Sequence, residues 1–138
     1  SVEKDFSSHP NPGNNQLVLT IQPGLPEISA DPERLIQVLT NLISNAERHT
    51  RNGTITISLS GEPGWQTICV SDTGTGMSEE MRKNALKGYV SADKDYWRHG
   101  IGLYVCHQIV TAHGGKIWLK SKEGEGTQVF FSLPEEES

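Results

Sequence analysis

DPERLIQVLTNLISNAERHT, residues 31–50, decides how the rest of the chain must be arranged. Asp31 reads as a helix cap, and Pro32 is tolerated at the first helical position, where no N–H is needed. Leu35, Ile36, Val38, Leu39, Leu42, Ile43 and Ala46 recur at three- and four-residue spacing. That spacing predicts one long amphipathic helix with a single buried stripe. Asn41 and Asn45 interrupt the apolar logic one helical turn apart on one face, and Arg48 and His49 follow on the next turn. A carboxamide carries both a donor and an acceptor and can ligate a hard cation without adding charge. From the helix alone, satisfied core polars or partly exposed surface is the plainer reading of the two asparagines.

Working outward, Gln16–Ile21 upstream is strand-like, and residues 27–30 read as a short strand leading into the helix. Before that, residues 1–15 are polar and turn-rich and read as a linker or frayed lead-in; His9 there is a solvated loop residue. Downstream, Thr54–Ser60 alternates with period two and is rich in β-branched residues, and Trp65–Ser71 pairs with it as a hairpin. A short helix over residues 77–88 begins at a Ser78 cap with Glu79 and Glu80 in its first turn. Residues 89–99 lack a period and read as a long loop, the length of a lid. Residues 100–113 read as a helix opened by glycines and stopped by Gly114 and Gly115. Lys116–Ser121 and Gln128–Leu133 are strands, and residues 135–138 form an acidic, frayed tail. The sum is an α+β, two-layer sandwich: a mixed, mostly antiparallel sheet of about five strands with about three helices on one face. One domain spans residues 16–134.

Composition narrows the function classes. The chain has 138 residues, 34% hydrophobic and 21% charged, which fits a single globular core rather than disorder. A net charge of −5 argues against a nucleic-acid surface. No apolar run approaches the ~20 residues of a membrane span, and there is no signal-peptide pattern. Cys69 and Cys106 lie in apolar runs and read as reduced core residues in an intracellular setting.

Three glycine motifs punctuate the second half: Asp72-Thr-Gly-Thr-Gly76, Gly100-Ile-Gly102 and Gly124-Glu-Gly-Thr127. Glycine lets backbone approach a ligand and adopt positive φ. At the start of a helix, the N–H groups of Gly100 and Gly102 would suit a phosphate. The strand–GxGxxG–helix unit of a dinucleotide site is missing, and so is the GK[ST] of a P-loop.

In this order, the asparagine helix and the glycine motifs resemble the catalytic, ATP-binding domain of sensor histidine kinases, in the GHKL superfamily with its Bergerat fold. Asn41 through Asn45-Ala46, with Arg48-His49-Thr50, resembles the N box. Asp72–Gly76 and Gly100–Leu103 resemble the two glycine boxes, and Gly124–Thr127 the final G-x-G-T element. The resemblance implies ATP and Mg²⁺ as cofactors. It implies that Asp72 accepts from the exocyclic amine of adenine, with Thr127 nearby through water, and that Gly74 and Gly76 let backbone close around the base. Asn45 would ligate Mg²⁺, with Asn41 near the phosphates and Arg48 reaching them. His49, Met77, Tyr89, Arg98, Ile101 and Leu103 are the remaining expected nucleotide contacts, beside the N–H groups of Gly100 and Gly102. Residues 83–99 would form the lid.

Two departures mark the lid: Tyr89 is the one aromatic of the expected F box, and Arg98 stands where the family often has glycine. Arg98 and Lys94 read either as phosphate contacts or as solvated charges. Asn41 separates two enzyme readings, because ATP-hydrolysing relatives carry a glutamate general base there and asparagine cannot take up a proton usefully. That favours phosphoryl transfer to a histidine, governed by positioning and charge neutralisation. None of His9, His49, His99, His107 and His113 sits in an acceptor context, so the acceptor belongs to a dimerisation domain of the same protein. The resemblance further implies a two-component response regulator downstream, a cytoplasmic setting, no membrane contact and a monomeric isolated domain. A GHKL ATPase and a non-catalytic nucleotide sensor are the alternatives.

Overall fold

The computed structural model describes residues 14–26, 28, 30–85 and 94–135. The helix read from residues 31–50 is α1, Pro32–His49, capped by Asp31, whose Oδ1 accepts from the Glu33 N–H at 3.0 Å. Its apolar stripe is buried, with Val38, Leu42 and Ile43 at 0–2% exposure. Two further helices follow, α2 at Glu79–Asn84 and α3 at Lys94–Ala112. The strands are β1 (Gln16–Ile21), β2 (Thr54–Glu62), β3 (Trp65–Asp72), β4 (Lys116–Lys122) and β5 (Gly126–Pro134). They form one sheet in the order β1-β2-β3-β5-β4. Among the described strands, β1 and β2 alone pair in parallel, because α1 is the crossover between them; the other pairs are antiparallel. The α+β two-layer expectation is met.

Period two decides the faces. Ile55, Ile57, Ile68, Val70, Val129, Phe131 and Leu133 alternate inward and join Val38, Leu42, Ile43, Leu103 and Val110 of the helices in one core. Each fully buried side chain of this size contributes about 1.5–3 kcal/mol. At the edge, Leu17, Leu19 and Ile21 pair with Ile55, Ile57 and Leu59 but stay 37–55% exposed, so the helices cover β1 incompletely.

The His113-Gly-Gly ending fastens the helix layer. His113 Nδ1 lies 2.8 Å from the Ile109 carbonyl, and its Nε2 accepts from the Asp31 N–H at 3.3 Å. The Nδ1–H tautomer satisfies both bonds, so the end of α3 helps cap the start of α1. Gly115 has to be glycine, because a Cβ would lie 2.3 Å from the Ser132 carbonyl oxygen.

Several expectations need correction. The helix expected from residue 100 begins at Lys94, so Lys94–His99 are helical rather than part of a loop. Once a helix is nucleated, each further residue adds a backbone hydrogen bond, and this offsets the penalty of about 1 kcal/mol for each internal glycine. The helix expected over 77–88 is described only as Glu79–Asn84, with Ser78 Oγ accepting from the Met81 N–H at 3.2 Å. Asn15, assigned by composition to the lead-in, is buried and belongs to the fold. Its carboxamide donates to the Thr50 carbonyl at 2.8 Å and accepts from the Gly53 N–H at 3.0 Å. Glu135, assigned to the tail, bridges Ile28 and donates its N–H to the Gly64 carbonyl at 3.0 Å. The strand expected around residues 27–30 is this single bridge at Ile28, with Glu27 and Ser29 outside the described residues.

Candidate functional site

The site grows from the end of β3. Asp72 closes that strand directly opposite Thr127 of β5. One carboxylate oxygen, Oδ1, accepts from the Gly74 N–H at 2.9 Å and the Thr127 N–H at 3.2 Å. The first bond is local, since an aspartate readily binds the N–H two residues on. The second exists only because β3 and β5 are neighbours. Burial raises the Asp72 pKa above the ordinary carboxylate value; the two N–H groups, the His49 charge and the Thr50 hydroxyl oppose that rise.

Two parts of the chain converge on this turn. The C-terminal end of α1 reaches it through the His49 carbonyl, which accepts from the Thr75 N–H at 3.0 Å. The β4–β5 hairpin reaches it through the Gly124 N–H, which donates to the Thr75 carbonyl at 2.8 Å. The glycines permit both approaches. A Cβ on Gly74 would sit 2.2 Å from the His49 carbonyl oxygen, and one on Gly76 would sit 2.1 Å from that of Lys122. In this structure, then, these glycines admit the protein's own backbone. Met77 is buried below the turn, its N–H donating to Ser121 Oγ at 2.7 Å.

The expected residues fall into three groups. Asp72, Gly74, Gly76, Met77 and Thr127 are brought together, with His49 and Thr50 at the α1 end. Asn45 is buried on α1 and Asn41 is half-buried about 6 Å before it along the axis. Arg48 is exposed and, with His49, Arg51, Thr73, Gly74 and Thr75, lines a basic depression of about 350 Å³. Leu103 is buried in the core. Tyr89 lies outside the described residues, as do the side chains of Arg98, Gly100, Ile101 and Gly102. Gly100 and Gly102 lie inside α3, not at its start. Their N–H groups, beyond the first four of the helix, are matched to carbonyls one turn earlier and are not free for an anion.

Sequence reading gave Thr50 a place in the asparagine-helix motif but no role, and it missed Asn15 and Ser121. Ser121 was findable: it is the polar member of the inward series Ile117, Leu119, Ser121 on β4. Its hydroxyl lies 2.8 Å from Thr127 Oγ1 and donates to the Gly126 carbonyl at 3.1 Å, which fixes both Thr127 and Met77. Asp72 and Thr127 border a depression of about 440 Å³ that is otherwise lined by residues such as Ser71, Lys120, Lys122 and Gln128 of the sheet's outer face. A larger one, about 550 Å³, lies between Trp65, Trp118 and Phe130 and shares Lys120 with it. The Asp72 turn suits a base with an exocyclic amine: it offers a carboxylate with one oxygen already satisfied, a buried hydroxyl and glycines that keep side chains away. Among the described residues, no cluster of three or more His, Cys, Asp or Glu side chains forms a metal site.

Comparison with known proteins agrees with this geometry. The family model described as histidine kinase-, DNA gyrase B- and HSP90-like ATPase matches residues 30–137. The adaptive-response sensory kinase SasA of Synechococcus elongatus is 41% identical over 123 residues, covering 86% of this chain and 32% of SasA. The sensor protein SrrB of Staphylococcus aureus is 37% identical over 114 residues, covering 79% of this chain and 20% of SrrB. The chain thus spans about a third or less of these relatives. Among solved structures, the catalytic domain of the histidine kinase ThkA superimposes with a TM-score of 0.81 at 28% identity, covering 97% of this chain and 89% of that one. Full-length ShkA in complex with AMPPNP gives 0.81 at 25% identity, covering 99% of this chain and 29% of that one. The chain belongs to the family of histidine kinase-, DNA gyrase B- and HSP90-like ATPases, on its sensor histidine kinase side.

Proposed function

We propose that this chain is the ATP-binding catalytic domain of a two-component sensor histidine kinase. In this reading it delivers the γ-phosphoryl of Mg-ATP to a histidine on a separate dimerisation domain of the same protein. The observation that carries the reading is the Asp72 turn, where a buried carboxylate with one oxygen held by two backbone N–H groups leaves its other oxygen for a base. An adenine amine satisfies that oxygen, whereas a guanine would set a carbonyl against it and be rejected. The relatives are sensor kinases, and the solved complex of ShkA holds an ATP analogue.

Each residue's part follows from its chemistry. Asn45 presents a carboxamide oxygen suited to Mg²⁺ beside the triphosphate, and the bound ion would neutralise charge there. Asn41 and Arg48 orient and neutralise the phosphates without acting as a base. Contact from the N–H groups of Gly100 and Gly102 requires the first turns of α3 to unwind, together with Tyr89 and Arg98 of the lid. Ile101 and Leu103 would flank the nucleotide from that side. Asparagine at position 41 favours transfer over hydrolysis, because no carboxylate stands there to activate water. No described helix is long and apolar enough to cross a membrane.

Calorimetric titration with a non-hydrolysable ATP analogue, with and without Mg²⁺, tests the pocket. Binding that strengthens with Mg²⁺ and collapses in Asp72→Asn is expected; wild-type domain that binds nothing would overturn the assignment. Phosphotransfer to a supplied dimerisation domain then separates kinase from nucleotide sensor, and phosphate release without an acceptor would favour the ATPase reading.

A further inference from the structure

Thr50 ends α1 with its side chain 1% exposed, and its Oγ1 has no hydrogen-bond partner. Buried hydroxyls without partners are uncommon, because an unpaired polar group in the interior forfeits its hydration. The residue is held in place by its backbone, since the Thr50 carbonyl accepts from Asn15 at 2.8 Å. The hydroxyl stands beside the Asp72 turn. It lies 2.6 Å from where a Cβ on Gly74 would stand, and Gly74 itself donates to Asp72 Oδ1 at 2.9 Å. A side chain at position 74 would separate the hydroxyl from the carboxylate; glycine leaves the way between them open.

The backbone donors on the aspartate are unevenly shared. Both N–H groups, from Gly74 and Thr127, go to Oδ1 and neither serves Oδ2. Thr50 nevertheless acts on the carboxylate. Burial raises the Asp72 pKa, and the Thr50 hydroxyl is among the groups that hold it down.

We propose that Thr50 is a positioning residue for base recognition: its otherwise unpartnered hydroxyl donates to the second oxygen of Asp72 and fixes that carboxylate, ionised, against an adenine amine. This rests on the assignment of the Asp72 pocket to adenine. The hydroxyl already acts on the carboxylate in the free domain, short of a well-formed hydrogen bond, and a base held by Asp72 would tighten that contact into one. The hydroxyl therefore contributes more to recognition than to the fold of the free domain.

Thr50→Val keeps the shape and removes the donor, while Thr50→Ser keeps the donor. Two probes read the effect: ADP, and purine riboside diphosphate, which lacks the exocyclic amine. Both are titrated calorimetrically with Mg²⁺ against wild type, both variants and Asp72→Asn, beside thermal unfolding of the free domains. Wild type should prefer ADP by at least about tenfold, the value of a hydrogen bond to a charged group. Thr50→Val should lose most of that preference by weakening ADP about tenfold and the deamino probe little. Thr50→Ser should restore it, and the melting temperature of free Thr50→Val should not fall. A Thr50→Val domain that binds ADP as wild type does, or loses affinity for both probes in proportion, or melts lower, overturns the role of Thr50 alone. Wild type that does not bind ADP, or is indifferent to Asp72→Asn, overturns the pocket and Thr50's role with it.

Discussion

The β4–β5 hairpin holds two glycines, two residues apart, whose replacement separates conformational strain from steric exclusion. Gly124 has φ +81° and nothing within 4 Å of the position a Cβ would take, so alanine there meets only the left-handed backbone penalty of about 1–2 kcal/mol. Gly126 has φ +90°, and a Cβ would stand 2.1 Å from the carbonyl oxygen of Asp72 and 3.0 Å from its carbon. Those are main-chain atoms that cannot rotate away, so an overpacking penalty of about 1–3 kcal/mol adds to the first. Unfolding entropy of about 2.1 cal/mol/K per residue gives about 0.3 kcal/mol/K for a chain of this length. Gly124→Ala should therefore lower the melting temperature by about 3–7 °C, and Gly126→Ala by about 7–17 °C. The clash also bears on the site, because pushing β5 from Asp72 pulls the Thr127 N–H off Oδ1, which it reaches at 3.2 Å. Scanning calorimetry and ADP titration on both variants read the two effects. Equal melting shifts, or Gly126→Ala with unchanged ADP affinity, would refute the argument that this glycine exists to let β5 meet the Asp72 turn.

Asn15→Ala removes two buried hydrogen bonds, of 2.8 and 3.0 Å, and should reduce stability by about 2–3 kcal/mol in urea unfolding; a change below about 0.5 kcal/mol would place Asn15 outside the cooperative fold. Ser121→Ala leaves the buried Met77 N–H without its 2.7 Å acceptor and Thr127 without its hydroxyl partner, so stability should drop by about 1–3 kcal/mol and ADP should bind several-fold more weakly. Asp72 carries a pH signature. Burial raises its pKa in the folded chain, so between the unfolded and folded values the folded chain binds the extra proton. Stability then falls as pH rises through that window, and the full penalty remains above the folded pKa. The stability of Asp72→Asn relative to wild type should accordingly rise from pH 4 to neutrality; a difference independent of pH would count against the buried charge.

Much of the fold was legible because its signals are local. The α1 stripe, the Asp31 cap and the strand alternation each depend on neighbours within a turn or two, and the described elements fall where those signals put them. The limits of α3 were not legible. Glycines at 100 and 102 suggested a helix start, yet helix propagation depends on the whole run and carried the start back to Lys94. Asn15 and Glu135 looked like terminal polar residues because their partners, Thr50, Gly53, Ile28 and Gly64, are distant in sequence.

For the site, the sequence by itself determined the chemical inventory and the order of its parts: two asparagines on one helical face, an aspartate before glycines, and a threonine after them. Local spacing is enough for that, since a helix or turn is built from residues within a few positions of one another. The tertiary structure decided what meets what. Sheet order set Thr127 across from Asp72, the packing of α1 against the turn brought Thr50's hydroxyl beside Gly74, and β4 supplied Ser121. Hydrogen bonds and steric contacts act over about 3 Å in space whatever the separation in sequence, and only the completed sheet and its helix layer bring those residues within that range.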